Sequence, residues 1–126
     1  MSQSVIAFPQ EKTTSLLDYL QPLLTRKSIT PNDAGCQQFI AKQLTALGFS
    51  CHHFNCNGVE NLVASIGSGN TRIAFAGHTD VVPSGAEKLW QAPPFSGQII
   101  DDFVIGRGVA DMKGGIAAML SAIKKC

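Results

Sequence analysis

An apolar tetrapeptide, Ile73-Ala74-Phe75-Ala76, runs directly into Gly77-His78-Thr79-Asp80. Alternating positions on both faces of that stretch are apolar, so a strand over Thr71 to Ala76 needs cover on each side, as in a sheet held between helix layers. The rest of the chain can supply such layers. Leu16, Leu17, Leu20, Leu23 and Leu24 recur at helical spacing between Lys12 and Arg26, where Pro22 is expected to bend or divide the helix. A second helix is punctuated by Thr30 as cap, Pro31 at the first helical position and Asp33 as a capping-box carboxylate, with Phe39, Ile40, Leu44 and Leu47 inward and Gly48 as the stop. Strands follow over about Phe49 to Cys56 and Asn61 to Ile66, turning at Asn57-Gly58.

Downstream, a loop from Val81 to Pro94 carries the single tryptophan, Trp90; loops beyond about 12 residues are usually functional. Short strands Gln98 to Ile100 and Phe103 to Ile105 flank Asp101-Asp102, and Ile116 to Lys125 reads as a helix. The order of elements predicts an α/β fold, a sheet flanked by helices, within the length of one domain.

A charged fraction of 15%, against a usual ~25%, argues against disorder. With a net charge of +1 and no basic run longer than Lys124-Lys125, there is no electrostatic footprint for nucleic acid or an anionic membrane. The opening MSQSVIAFPQEK lacks the basic and apolar regions of a secretory signal, and no apolar stretch approaches the ~20 residues of a membrane span. The expectation is a cytoplasmic chain, with Cys36, Cys51, Cys56 and Cys126 as reduced thiols.

Chemistry can sit in three places. His78 emerges at the carboxyl end of the apolar strand, where ligands gather in open α/β sheets, and Asp80 is near enough to orient its ring. His-x-Asp equally describes a buried histidine closing a turn. In Gly106-Arg107-Gly108-Val109-Ala110-Asp111-Met112-Lys113-Gly114-Gly115, Asp111 can bind a metal or cap the following helix. The run lacks both GxxxxGK[ST] and GxGxxG, which sets nucleotide binding aside. Cys51-His52-His53-Phe54-Asn55-Cys56 offers four donors, but strand alternation sends them to opposite faces, so it reads as an ordinary strand.

Taken together, SITPNDAGCQ at 28–37, GHTDVVP at 77–83, Trp90 leading into PPFSG at 93–97, and GRGVADMKGG at 106–115 resemble the co-catalytic zinc exopeptidase superfamily of aminoacylases, carboxypeptidases and acyl-amino-acid deacylases. The order and spacing of these stretches match over nearly the whole chain. The resemblance is strongest to the desuccinylase branch, which hydrolyses an N-succinyl amide in lysine and cell-wall precursor synthesis, and next to acetylornithine deacetylases. It implies a small-molecule N-succinyl amino-acid substrate, two Zn²⁺ ions per site with Co²⁺ as an alternative, and a homodimer made through a lid domain. It implies His78 as a metal ligand, Asp111 as the carboxylate bridging the two ions, Asp80 as the catalytic acid that orients and polarises His78, and a cis peptide bond between Asp111 and Met112.

The same family supplies a downstream Glu-Glu pair, a further acidic ligand and a distant histidine. Here the glutamates are Glu11, Glu60 and Glu87, and His78 is the last histidine. Residues 1–126 therefore resemble the N-terminal third of such an enzyme, an incomplete zinc-exopeptidase-like catalytic domain without the lid domain. A catalytic zinc normally keeps three protein ligands, and a general base is worth roughly 10²–10⁴ in rate, so the isolated chain is expected to have little or no activity. A helical face of Ile116, Met119, Leu120 and Ile123 is expected to lie bare and promote self-association. A non-catalytic remnant or partner-binding piece built on the same scaffold is the rival of a different class.

Overall fold

The leucine spacing of the first helical stretch becomes α1 (Thr13–Leu24) in the computed structural model, which describes residues 5–7 and 13–126. Lys12, where that helix is expected to begin, and most of the opening MSQSVIAFPQEK lie outside the described residues. Pro22 does not divide the helix. It falls in the last turn, where its missing N–H removes one ladder bond while Thr25 N–H still reaches the Gln21 carbonyl at 3.1 Å.

The second helix starts later than its punctuation suggests, as α2 (Cys36–Ala46). Thr30 is drawn away from a capping role because its N–H donates to the Val81 carbonyl at 3.1 Å and its hydroxyl bonds the Asp80 carboxylate. Asp33 does hold the first turn, its two oxygens accepting the Gln37 N–H at 3.0 and 3.3 Å. At the other end Gly48, with φ 94°, completes a paired cap: Gly48 N–H to Thr45 and Phe49 N–H to Leu44, both at 3.0 Å.

β2 (Ser50–Cys56) and β3 (Val59–Ser65) form a hairpin, with Cys56 opposite Val59 across a two-residue turn at Asn57-Gly58. Both turn residues have positive φ, the geometry that follows the twist of the strands. A three-stranded sheet has the order β1 (Val5–Ala7), β5 (Phe103–Ile105), β4 (Ile99–Ile100), all antiparallel. Strand β1 has no counterpart in the sequence reading. α3 (Gly114–Lys125) packs along α1, and Leu20, Leu23, Leu24, Ile116, Ala117 and Leu120 belong to one core. Trp90 is buried in a second, smaller cluster with Ala92 and Ile105, its indole N–H donating to the Ser84 carbonyl at 3.0 Å.

Two further expectations are corrected. Thr71 to Ala76 forms no strand; Ile73 and Phe75 are 85% and 63% exposed. Apolar alternation specifies a strand only when neighbours supply both ladder bonds and cover, and the two sheets among the described residues do not reach this segment. The α3 face is not bare either: Ile116 and Leu120 are buried because the leucines of α1 cover them. Ile73 and Phe75 are instead the most exposed of the large apolar side chains among the described residues. Among the described residues no helix is long and apolar enough to cross a membrane, and all four cysteines are free thiols.

Leu20 has no exposed surface, so Leu20→Ala should cost about 2–5 kcal/mol in urea unfolding, whereas Val63→Ala, on the open hairpin, should stay within about 0.5 kcal/mol. Self-association driven by the Ile73–Phe75 strip should raise the mass seen by light scattering as concentration rises. Replacing both residues by lysine should restore the monomer mass, and an unchanged mass would place the contact elsewhere.

Candidate metal centre

Residues 77–81 carry no helix or strand of their own; a second segment fixes them. The Ser28 hydroxyl donates to the Thr79 carbonyl at 2.7 Å, Val81 N–H donates to the Ser28 carbonyl at 2.8 Å, and Ile29 bridges Val81 in parallel. The Thr79 hydroxyl donates to Asp33 Oδ1 at 2.6 Å. With the Thr30 hydroxyl on Asp80, the SITPND stretch grips three consecutive residues after His78. These positions have a clear signal in the motif but no role that a sequence could reveal, because the partners lie about fifty residues away.

The other wall is the turn Val109–Lys113, which precedes α3. Gly108 enters it with φ 92°, and a methyl group there would stand 2.5 Å from Val81 Cγ1, so backbone conformation and close approach both call for glycine. Met112 lies against Gly77, where an added Cβ would meet its Cε at 2.9 Å, and its sulfur accepts the His78 N–H at 3.3 Å. The Asp111–Met112 peptide bond is cis, as the resemblance implies. Lys113 is fully buried; its ammonium donates to the Leu23 and Arg26 carbonyls at 2.7 and 2.8 Å, and burial pushes its amine below the ordinary lysine value.

These walls bring His78 and Asp111 together. His78 Nε2 lies 3.0 Å from Asp111 Oδ1, while Nδ1 lies 3.0 Å from the Asp80 carbonyl and 3.3 Å from its Oδ1. Asp111 makes no side-chain cap to the turn or to α3, so the capping alternative is set aside. The pair is open to solvent, with side-chain exposures of 49% and 85%. Partial burial pulls the imidazole downward, but its bonds to the Asp80 carbonyl and Asp111 carboxylate, and the charges of both acids, hold it above its ordinary value.

Nitrogen and carboxylate oxygen are the donors a zinc ion takes, and two tetrahedral ligands lie roughly 3.3 Å apart, close to the separation here. The pair therefore fits one edge of a coordination sphere. No group of three or more His, Cys, Asp or Glu side chains able to hold a metal exists among the described residues, so they do not close that sphere alone. The residues from Cys51 to Cys56 remain a strand: the Cys51 thiol points to the Ala41 carbonyl at 3.6 Å, and His52 stacks on Phe54.

Because the folded His78 stands above its unfolded value, its contribution to stability is complete at pH below the ordinary imidazole range and is lost as pH rises through the folded value. The destabilisation caused by Asp111→Asn in urea should therefore be larger near about pH 5.5 than near about pH 8.5. Equal destabilisation at both would break the link between the two side chains.

Comparison with known proteins bears on the same residues. Positions 74–126, which hold His78, Asp80 and Asp111, match the family model of peptidase family M20/M25/M40. The chain is 49% identical over 106 residues to succinyl-diaminopimelate desuccinylase 2 of Shewanella loihica, covering 84% of this chain and 28% of that one. Similarity is equal, 49% over 109 residues, to succinyl-diaminopimelate desuccinylase 1 of Alteromonas mediterranea, and 48% over 110 residues to the Xanthomonas oryzae pv. oryzae desuccinylase. An M20 family metallo-carboxypeptidase from Sulfolobus solfataricus superposes with a TM-score of 0.79 at 24% identity, covering 87% of this chain and 26% of that one, which establishes the α/β fold. The chain thus spans a little over a quarter of the length of the curated relatives it matches, and its sequence places it with the peptidase family M20/M25/M40, among the relatives of succinyl-diaminopimelate desuccinylases.

Proposed function

We propose that residues 1–126 are the N-terminal segment of the catalytic domain of a metal-dependent amide hydrolase that releases succinate from N-succinyl-LL-2,6-diaminopimelate. The observation that carries this is the 3.0 Å approach of His78 Nε2 to Asp111 Oδ1, two donors from segments 33 residues apart. The family likeness around both residues supports it. In this reading His78 and Asp111 are ligands of a zinc or cobalt site. When bound, divalent ions at that site would polarise an amide carbonyl and lower the pKa of a water.

The chain's own residues prepare that site. Asp80 accepts at the Nδ1 side of His78, favouring the tautomer whose Nε2 lone pair faces Asp111, and so acts as a positioning group. Asp111, exposed on its outer side, has a second oxygen available to bridge. Nε2 can serve as a ligand only without its proton, so affinity for a divalent ion should weaken as His78 protonates. The remaining ligands, the general base, the lid and the homodimer contact belong to the rest of the intact protein, in a cytoplasmic setting.

Two measurements test the reading. Zinc calorimetry on the chain should give weaker binding for Asp111→Ala than for wild type at neutral pH; identical binding would remove Asp111 from the site. A chimera placing this chain in the matched segment of the Shewanella loihica desuccinylase should release succinate from N-succinyl-diaminopimelate and lose that activity with His78→Ala. Release of acetate from N-acetylornithine instead would assign a deacetylase, and no hydrolysis would favour a non-catalytic remnant. Metal-dependent turnover by the purified 126-residue chain would contradict the division of the site.

A further inference from the structure

We propose that Lys113 is the positioning residue that aims Asp111 at His78, acting through the C-terminal end of α1; this rests on the reading of the pair as metal ligands. The Asp111 side chain is 85% exposed and makes no cap, so apart from its contact with His78 its direction is set by the backbone that carries it. That backbone departs from helical geometry at Asp111 (φ −134°, ψ 94°) and at Met112 (φ −136°, ψ 27°). A turn of this shape needs anchors on both sides.

Upstream, Val109 is fully buried in the core. Downstream, Lys113 holds the chain at two levels. Its N–H donates to the Gly108 carbonyl at 2.7 Å, closing the turn around Asp111, and its ammonium reaches the Leu23 and Arg26 carbonyls at 2.7 and 2.8 Å. Leu23 lies in the last turn of α1 and Arg26 two residues beyond it, where the negative end of the helix dipole favours a cation. The stem passes over Gly108, where a Cβ would lie 3.4 Å from Lys113 Cδ. The helix end thus fixes Lys113, and Lys113 fixes the distance along the chain at which Asp111 stands opposite His78.

The test compares Lys113→Met, which keeps length and apolar stem but loses the ammonium, with Leu120→Ala, which opens a cavity in the same core two turns further along α3 and leaves the turn and its clamp intact. The readouts on the folded 126-residue chain are the His78 ring ¹⁵N shifts at fixed pH and the affinity for zinc alone. Lys113→Met should move the His78 shifts toward those of Asp111→Asn and weaken zinc binding by about 10–100-fold, the usual scale for loss of a group that supports a ligand. Leu120→Ala should lower the melting temperature with His78 shifts unmoved. Unchanged shifts in Lys113→Met, or equal shifts in the two variants, would overturn the proposal. Should Lys113→Met fail to fold, Lys113→Gln, which keeps a shorter donor, carries the same comparison. If wild type binds no zinc, the metal reading fails by itself, while the shifts still decide whether Lys113 aims Asp111.

Discussion

A buried carboxylate cannot remain without donors, and Asp33, only 7% exposed, turns that constraint into architecture. One oxygen takes the Thr79 hydroxyl, and both take the Gln37 N–H, so the start of α2 and the segment after His78 are held by the same group. Ser28 and Thr30 add bonds to Thr79, Asp80 and Val81 from the same stretch. Where losing a donor leaves one of these buried groups unsatisfied, the cost is about 1–3 kcal/mol, which makes the arrangement resist partial rearrangement. The position of His78 depends on this grip because its own segment belongs to no strand or helix.

Local chemistry made much of the fold readable. Gly48 ends a helix for reasons contained in a few residues, and Asn57-Gly58 closes a hairpin for reasons contained in two. Asp101 and Asp102 sit between β4 and β5 with positive φ, as their place in the sequence suggests. The misreadings all involve partners distant in sequence. Thr30 has the features of a helix cap, yet Val81 and Asp80 claim its donors. Ile73 to Ala76 has the pattern of an interior strand, but a pattern cannot say whether neighbours are present to pair with it.

The site divides in the same way. His78, Asp80 and Asp111 were nameable because metal-binding chemistry admits few residue types and their motifs resemble a known family. Lys113 carried no comparable signal, since a lysine beside two glycines reads as a solvated residue, and complete burial is unusual for that side chain. Only the folded chain brings the end of α1 to its ammonium. Asp111 has the opposite history: helix capping was the ordinary alternative, and the turn geometry directs its carboxylate to the imidazole instead.

The contrast in burial between the pair and its supports bears on purpose. An ion pair as exposed as His78 and Asp111 is screened by water and contributes little to folding. Its supports are different: Asp33, Ser28, Val109 and Lys113 are buried, and each hydrogen-bonded or packed group among them was desolvated during folding. For the polar ones among them, Asp33, Ser28 and Lys113, stability alone would be served as well by apolar residues. Rigid buried scaffolding beneath two exposed donors is the arrangement expected when a solvent-borne ligand must meet preset geometry, since fixing the donors in advance removes that ordering cost from the binding step.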